Sequence, residues 1–340
     1  MEIGARGFAS SLRREISARN RACAQGQTHV ESFGSDPVVV YAPECSTGGS
    51  ERHGNFFDRS YAAIVARPEW MRRFDKMHAQ ARALPRAESG RRWRELDSSM
   101  SSDALLMNVF CAPEAHAMRQ TLAVDGDGLP EFGWKARVPL ASGRFDRTEV
   151  DMRWGSLLVE AKLTEGDFQT RAAAIVEGYR DFDAVFDREM LPRVLLRTAR
   201  RRTAIEFAEE FTQEWEAPAD DEGAGARAFQ AEMVARAEAE AGGEAGYAGY
   251  QLIRNVLAAH AVGARFCMIH DARRPDLREA WFQVMASVRS AELRTRCMVF
   301  TWQELAAMAS EDLQAFLDVK YGIVAPGTIS SAPEETVESE

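Results

Sequence analysis

The sequence predicts an α/β fold with a mixed central sheet wrapped by additional helices. Residues 147–163 carry the pattern of a tight β-hairpin, and residues 132–140 before them form a further strand pattern. Downstream, strand patterns at 265–270 and 296–301 enclose an amphipathic helix pattern at 276–289. A hairpin pairs its strands antiparallel, whereas a helix between two strands implies a right-handed crossover and parallel pairing. Both kinds of connection therefore meet in one mixed sheet.

The hairpin pattern at 147–163 is centred on a Gly-Ser pair at positions 155–156. Glycine supplies the positive φ that the first position of a type II′ turn requires. A turn centred there places Asp151 opposite Glu160 and Glu149 opposite Lys162. Because side chains alternate along a strand, these four residues share one face. The other face is apolar and suited to pack on helices; it holds Val150, Met152, Val159, Ala161 and Leu163.

Two carboxylates directly opposite each other in a hairpin repel. A divalent cation between Asp151 and Glu160 would relieve that repulsion, since Mg²⁺ is typically bound by one or two protein carboxylates together with waters; Mn²⁺ is an expected substitute. Lys162 would then lie beside the ion, where it could orient or deprotonate a water or stabilise developing negative charge. The alternative is a solvated hairpin face that carries weak surface ion pairs. The hairpin alone leaves both interpretations open.

The spacing Asp151, eight residues, Glu160-Ala161-Lys162 resembles the D…E-x-K motif of the PD-(D/E)XK, or restriction-endonuclease-like, nuclease superfamily. From about Pro37 to Leu305 the chain also resembles a group of bacterial restriction-endonuclease-like proteins. The segments that carry this wider resemblance are 37–41, 53–56, 102–105, 108–110 and 250–255.

The resemblance implies an αβββαβ nuclease core and Mg²⁺-dependent hydrolysis of DNA phosphodiester bonds by an endodeoxyribonuclease. Asp151 and Glu160 would bind the metal, together with the Ala161 carbonyl, and Lys162 would activate the attacking water. Restriction of foreign DNA, or defence against it, is the role that the resemblance suggests. The competing hypothesis is a catalytically silent module on the same fold that binds nucleic acid or protein.

Supporting residues are predicted on two helices and on the hairpin. In the superfamily the helix before the first core strand often brings a further acid towards the metal, a part that Asp103 or Glu95 would take here. A favourable charge at the helix N-terminus explains Asp103 equally. Glu149 shares the polar face of the hairpin. Gln251 and Arg254 share one face of the helix pattern at 250–262 and would contact the scissile phosphate or the metal-bound water, or else form a buried polar tie to a neighbouring loop.

The chain has a formal net charge of −10, which argues against broad attraction to DNA, although a local basic groove can coexist with an acidic exterior. The densest basic cluster includes Arg197, Arg200 and Arg201, which are candidates for phosphate contacts. Arginine and glutamate spaced along a helix also form ordinary surface pairs, so that interpretation stays open.

The expected organisation is an N-terminal extension (1–50) docked on the core, a nuclease-like domain (51–325) with a flexible acidic Ala/Gly-rich insertion (217–249), and a disordered tail (326–340). The five cysteines are widely spaced and indicate neither a disulfide framework nor a zinc site. No apolar run is long enough to cross a membrane, so we expect a cytoplasmic protein without a membrane partner. A homodimer would suit double-strand cleavage, but the sequence shows no interface for one.

Overall fold

The computed structural model describes residues 5–25, 30–32, 38–40, 53–77, 94–147, 149–196 and 245–327. The α-helices within these ranges are α1 (Ala5–Ala24), α2 (Asp58–Val65), α3 (Pro68–Phe74), α4 (Ser102–Phe110), α5 (Ala173–Val176), α6 (Phe182–Val185), α7 (Tyr250–Val262), α8 (Pro275–Ser287), α9 (Ala291–Thr295), α10 (Trp302–Ala306) and α11 (Glu311–Tyr321). The strands are β1 (Val30–Ser32), β2 (Val38–Val40), β3 (Glu131–Lys135), β4 (Val138–Pro139), β5 (Phe145–Asp146), β6 (Glu149–Trp154), β7 (Leu157–Ala161), β8 (Thr170–Ala172), β9 (Arg193–Leu195), β10 (Ala245–Ala248), β11 (Arg265–His270) and β12 (Cys297–Thr301). None of these helices combines the length and apolar character needed to cross a membrane.

A five-stranded sheet in the order β12-β11-β7-β6-β3 forms the centre of the fold. Strands β3, β6 and β7 pair antiparallel, whereas β7, β11 and β12 pair parallel. Helix α7 makes the crossover from β7 towards β11, and α4 precedes β3. The predicted α/β fold with a mixed sheet is confirmed, and its elements follow the αβββαβ order.

The hairpin of β6 and β7 has the predicted register. Met152 pairs with Val159 and Trp154 with Leu157, on either side of a turn in which Gly155 has a φ of 57°. A glycine adopts this left-handed conformation without the steric cost that a Cβ would bring. The register therefore follows from the position of the turn, as expected for a two-residue loop.

Apolar clusters cover both faces of the sheet. Met152, Val159, Ala161 and Leu163 pack with α4, α10 and α11. For these four residues the predicted packing of the apolar hairpin face on helices is confirmed. Val150 was predicted with them but packs instead in the cluster on the α7 and α8 side, where its strand partner Trp134 also packs. The sheet is thus buried between two helical layers, as its parallel half requires.

Helix α3 belongs to a third cluster, in which Trp70 and Phe74 pack with Met107 of α4. The helix packs beside β3, with Trp70 donating a hydrogen bond of 2.8 Å to the Pro130 carbonyl just before that strand. This packing brings the polar residues of α3 to the charged end of the β6–β7 hairpin.

Helix α1 lies against α11, and Arg19 donates a hydrogen bond of 2.9 Å to the Asp318 carbonyl. Within the segment predicted as an insertion, Ala245–Ala248 forms β10, the central strand of a three-stranded sheet with β8 and β9. The rest of that segment, up to residue 244, lies outside the described residues, as does the predicted tail from residue 328 onward.

Candidate active site

The charged end of the hairpin begins where β6 and β7 stop pairing. Beyond Met152 the backbone of Ala161 donates its hydrogen bond to the carboxylate of Asp151, at 2.8 Å, while the next amide, of Lys162, bonds the Ile269 carbonyl of β11 at 2.8 Å. The Asp151 side chain therefore satisfies a backbone donor that the hairpin leaves unpaired. This bond fixes the Asp151 carboxylate beside Glu160 and Lys162.

Glu160 lies on the adjacent strand and is only 1% exposed. Lys162 Nζ donates to one carboxylate oxygen and Asn255 Nδ2 to the other, each at 2.7 Å, and Arg254 Nη2 is 4.0 Å from the second oxygen. Burial by itself raises the pKa of Glu160, but the cations of Lys162 and Arg254 and these hydrogen bonds outweigh it and hold the pKa below its ordinary value. Glu160 is thus stabilised as a buried carboxylate.

Asp151 is in the opposite electrostatic position. Burial, followed by repulsion from the carboxylates of Glu160 and Asp103, raises the pKa of Asp151 well above its ordinary value. The Lys162 cation and the Ala161 amide lower it by less. Negative charge at Asp151 is therefore incompletely neutralised by the surrounding protein.

Lys162 is 5% exposed and lies 5.7 Å from the centre of the Phe168 ring. Burial would lower the pKa of its ammonium group, but Glu160, Glu165 and Asp151 together raise the pKa above its ordinary value. The Lys162 side chain is consequently a firmly held cation in the arrangement described here.

These groups line a pocket of about 360 Å³. The predicted site residues on its wall are Asp103, Glu149, Asp151, Lys162, Gln251 and Arg254, and the Glu160 carboxylate lies directly behind Lys162. Helix α7 supplies Gln251 and Arg254, because it crosses the polar face of the hairpin. Arg254 donates to the Glu149 carbonyl at 3.1 Å, so it forms the predicted buried polar tie while also facing Glu160.

The two supporting acids are engaged by cations from α3 and the residues that follow it. Arg73 contacts Asp103 and donates to Glu149 at 3.3 Å, and Lys76 donates to Glu149 at 2.9 Å. Burial raises the pKa of Glu149, but Lys76 and Arg73 outweigh it and lower the pKa. Glu149 pairs with Lys135 of β3 and not with Lys162, since the hairpin ladder has already ended at Met152.

Sequence reasoning missed Asn255 and Arg73. Asn255 lies on the same polar helix face as Gln251 and Arg254, so the i, i+3, i+4 spacing was the available signal for it. Arg73 is 8% exposed among apolar helix positions, and nothing in its local sequence distinguishes it from a surface arginine. Arg197, Arg200 and Arg201 lie outside the described residues, so their predicted phosphate contacts stay a prediction.

A metal ion would have few carboxylates to use here. Across the described ranges, no group of three or more His, Cys, Asp or Glu side chains has a geometry that could hold a metal. Asp103 and Glu149 are paired with Arg73 and Lys76, and Glu160 is paired with Lys162, whereas Asp151 accepts a hydrogen bond from the Ala161 amide. Two carboxylates completed by water suit Mg²⁺, which retains several of its waters when bound.

A mixed sheet whose hairpin brings two acids and a lysine to one pocket, under a crossover helix, defines a restriction-endonuclease-like α/β protein. Residues 17–322 match the family model described as Restriction Endonuclease associating with ARP. The chain belongs to this family. Comparison with curated proteins and with solved structures found no match.

Proposed function

We propose that the protein is a metal-dependent nuclease that hydrolyses DNA phosphodiester bonds through Asp151, Glu160 and Lys162. The observation that carries this proposal is the unequal charge compensation of the two acids. Glu160 is balanced by the Lys162 cation and accepts a hydrogen bond from Asn255, whereas the pKa of Asp151 is raised by burial and by repulsion from neighbouring carboxylates that Lys162 only partly offsets. Membership of the restriction-endonuclease family supports a nuclease-like activity.

The donor set fits a hard divalent cation such as Mg²⁺ or Mn²⁺. Asp151 and Glu160 would hold the ion, and Ala161, which also lines the pocket, offers its carbonyl oxygen as a further ligand. The bound ion would lower the pKa of a coordinated water and neutralise charge on the attacked phosphate. A positive ion would also remove the repulsion between Asp151 and its neighbouring acids.

Lys162 contributes a positive charge within the pocket. Its raised pKa favours an electrostatic role, in which the ammonium group orients the attacking water and stabilises negative charge developing on the phosphate, over direct removal of a proton from water. Asn255 and Arg254 act through Glu160: they fix its carboxylate and reduce the cost of burying it.

DNA is the substrate that we propose, in spite of the acidic chain. Lys76, Lys135 and Arg147 are exposed around the mouth of the pocket, where they can contact phosphates. Local cations of this kind position a nucleic-acid backbone even when the rest of the surface repels it. Restriction of foreign DNA is the biological role that we attach to the activity, and a homodimer would allow both strands to be cut.

One observation favours the catalytically silent module. Both oxygens of Glu160 already accept hydrogen bonds, so the Glu160–Lys162 pair also works as a structural tie. A buried pair of this kind can persist after activity is lost. The raised pKa of Asp151 favours the nuclease, because a structural tie does not need a second, poorly compensated carboxylate beside it.

The test is cleavage of labelled duplex and single-stranded DNA in Mg²⁺ or Mn²⁺ by the full chain and by three variants. We expect metal-dependent products from the wild type, and a loss of at least about 100-fold in both Lys162→Ala and Asp151→Asn. Lys162→Arg, which keeps the charge but not the amine's shape, should retain more activity than Lys162→Ala.

Glu292→Gln, a change of an exposed acid on α9, serves as the control and should cleave like the wild type. Products that survive both Lys162→Ala and Asp151→Asn would rule out this site. Binding of DNA without cleavage in either metal would favour the silent module.

A further inference from the structure

A second cavity, of about 590 Å³, adjoins the candidate active site. The two cavities share Arg73, Lys76, Lys135 and Glu149 as walls, so they form one continuous depression. We name this second cavity the β3 groove; it lies between α3 and β3, and its characteristic residues are Trp70, Arg72, Phe132 and Trp134. Its size is that of an ordinary small-ligand pocket, sufficient for a nucleotide.

The aromatic wall of the β3 groove is held in place by its surroundings. Trp70 and Phe132 pack edge to face with ring centroids 6.3 Å apart, and the Trp70 indole nitrogen is bonded to the Pro130 carbonyl. Arg153 lies 4.8 Å from the centre of the Trp134 ring. Phe132 and Trp134 line the groove and remain partly exposed, while Phe132 also packs on the α4 side of the sheet and Trp134 on the α7 side.

Gly133 connects the groove to the reactive acids. It lies between two residues of β3 that pair with Met152 and Val150, and it is therefore opposite Asp151 across the two strands. A Cβ at position 133 would lie 3.4 Å from Glu149 Oε2 and 3.6 Å from Arg73, so the missing side chain lets these two wall residues pack against β3. Gly133 has a φ of 65°, a conformation that disfavours any residue with a Cβ.

Cations line the outer rim of the groove, interspersed with the exposed acids Glu69 and Glu131. Arg72 and Lys135 are exposed there, and Lys76 stands where the groove meets the candidate active site. Proteins bind unpaired nucleotides with aromatic rings, on which the bases stack, and with nearby cations that contact the nucleic-acid backbone. Every base offers a face for such stacking. Bases inside an intact duplex are stacked on each other and cannot use such a surface.

We infer that the β3 groove binds an unpaired nucleotide of the DNA strand, immediately next to the phosphate at Asp151. The inference rests on the proposed nuclease function and narrows its substrate class to DNA that has unpaired nucleotides at the cut, such as a single strand or a flap. The base stacks on Trp134 and Phe132, its phosphate meets Lys135 and Arg72, and the strand continues past Lys76, where the groove meets the reactive pocket.

The test measures binding and cleavage separately. Fluorescence anisotropy of the full chain is recorded with a labelled 20-nucleotide single strand and with the matching duplex, in Ca²⁺, which compensates charge at Asp151 in place of Mg²⁺. The wild type should bind the single strand more tightly than the duplex. Trp134→Ala and Arg72→Glu should each weaken single-strand binding roughly ten-fold, and leave duplex binding nearly unchanged. Trp134→Phe should restore most of it.

Phe282→Ala is the matched aromatic control, because Phe282 is 52% exposed on α8 and lines neither cavity. Arg72→Glu changes an exposed side chain and should fold normally, so it tests the groove even if Trp134→Ala has a folding defect. Equal binding of single strand and duplex, or an equal loss in Phe282→Ala, would overturn the inference. Cleavage in Mg²⁺ that prefers intact duplex would also overturn it while leaving the nuclease in place, whereas a chain that binds the single strand but never cuts would fail only the nuclease proposal.

Discussion

The two ends of the β6–β7 hairpin differ in how their backbone and side chains are satisfied. At the turn end, the strands pair through backbone hydrogen bonds up to Trp154 and Leu157, and Arg265 bonds Asp125 and Ser156 across the outside of the turn. At the open end, the ladder stops after Met152 and the Asp151 carboxylate accepts the hydrogen bond from Ala161. One end has regular pairing, and the other has charged side chains close together.

This difference shows a division of roles within a single hairpin. The turn sets the register, which decides that Asp151 lies near Glu160 and not on the opposite face. The open end then buries Asp151 beside the carboxylates of Glu160 and Asp103, and both burial and repulsion raise the pKa of Asp151. Functional sites commonly carry locally unfavourable features, and regular structure elsewhere in the protein offsets their cost.

The largest effect on stability is expected from Gly155→Ala at the turn. Gly155 has a positive φ, and a Cβ there would collide with the backbone carbonyl of Asp125. We expect the free energy of unfolding to fall by about 3 kcal/mol, measured by urea denaturation. Gly143→Ala is the control, since Gly143 also has positive φ but open surroundings, and it should lose only about 1 kcal/mol. Equal losses would show that the collision is not what makes Gly155 necessary.

The next largest effect is expected from Asn255→Ala, which lies at the open end of the hairpin and should lower the rate of DNA cleavage. It removes the donor to one oxygen of buried Glu160. Loss of a group that orients a metal ligand typically costs ten- to 100-fold in metal affinity or rate, and we expect a fall of about that size in DNA cleavage. Asn20→Ala removes a different buried asparagine, which bonds the Ile16 carbonyl in α1, and should affect stability alone. A similar fall in rate for both variants would mean that Asn255 acts only through folding.

A smaller effect, on stability in EDTA, is expected from Asp151→Asn. The folded-state pKa of Asp151 is raised, so the folded chain binds this proton more tightly than the unfolded chain. The resulting stabilisation is present at acid pH and is lost as the pH rises through the raised pKa. The free energy of unfolding of the variant should therefore rise relative to that of the wild type as the pH increases. The difference, measured by urea denaturation, should reach about 1 kcal/mol near neutral pH. A constant difference across the pH range would contradict the charge repulsion.

The smallest effect is expected from Asp125→Asn at the turn end. Its side chain is 66% exposed, and its 3.0 Å ion pair with Arg265 is screened by solvent. Exposed pairs contribute little, so thermal unfolding and DNA cleavage should both match the wild type. A clear drop in the unfolding midpoint would show that this pair, in addition to Gly155, fixes the turn.

The sequence was sufficient for the features that depend on local rules. The Gly-Ser turn predicted the hairpin register, and the helix–strand alternation predicted the mixed sheet. The spacing of Asp151, Glu160 and Lys162 predicted that they would meet, because neighbouring strands place them together. Val150 was misplaced because alternation along one strand does not show which helical layer covers each strand end.

Long-range contacts could not be predicted in the same way. The pairing of Asp103 and Glu149 with Arg73 depends on how α3 packs on α4 and β3, far apart in sequence. The β6–β7 ladder also ends early, at Met152, and the Asp151 carboxylate accepts the hydrogen bond of Ala161 there. Neither contact leaves a periodic or compositional signal.

The most direct test of the central claim is binding of Mn²⁺ to the full chain, followed by electron paramagnetic resonance, with and without the Asp151→Asn change. We expect the wild type to bind Mn²⁺ and Asp151→Asn to weaken binding at least about ten-fold, while the remote Glu292→Gln binds as the wild type does. Unchanged Mn²⁺ affinity in Asp151→Asn would contradict the assignment of Asp151 and Glu160 as the metal site.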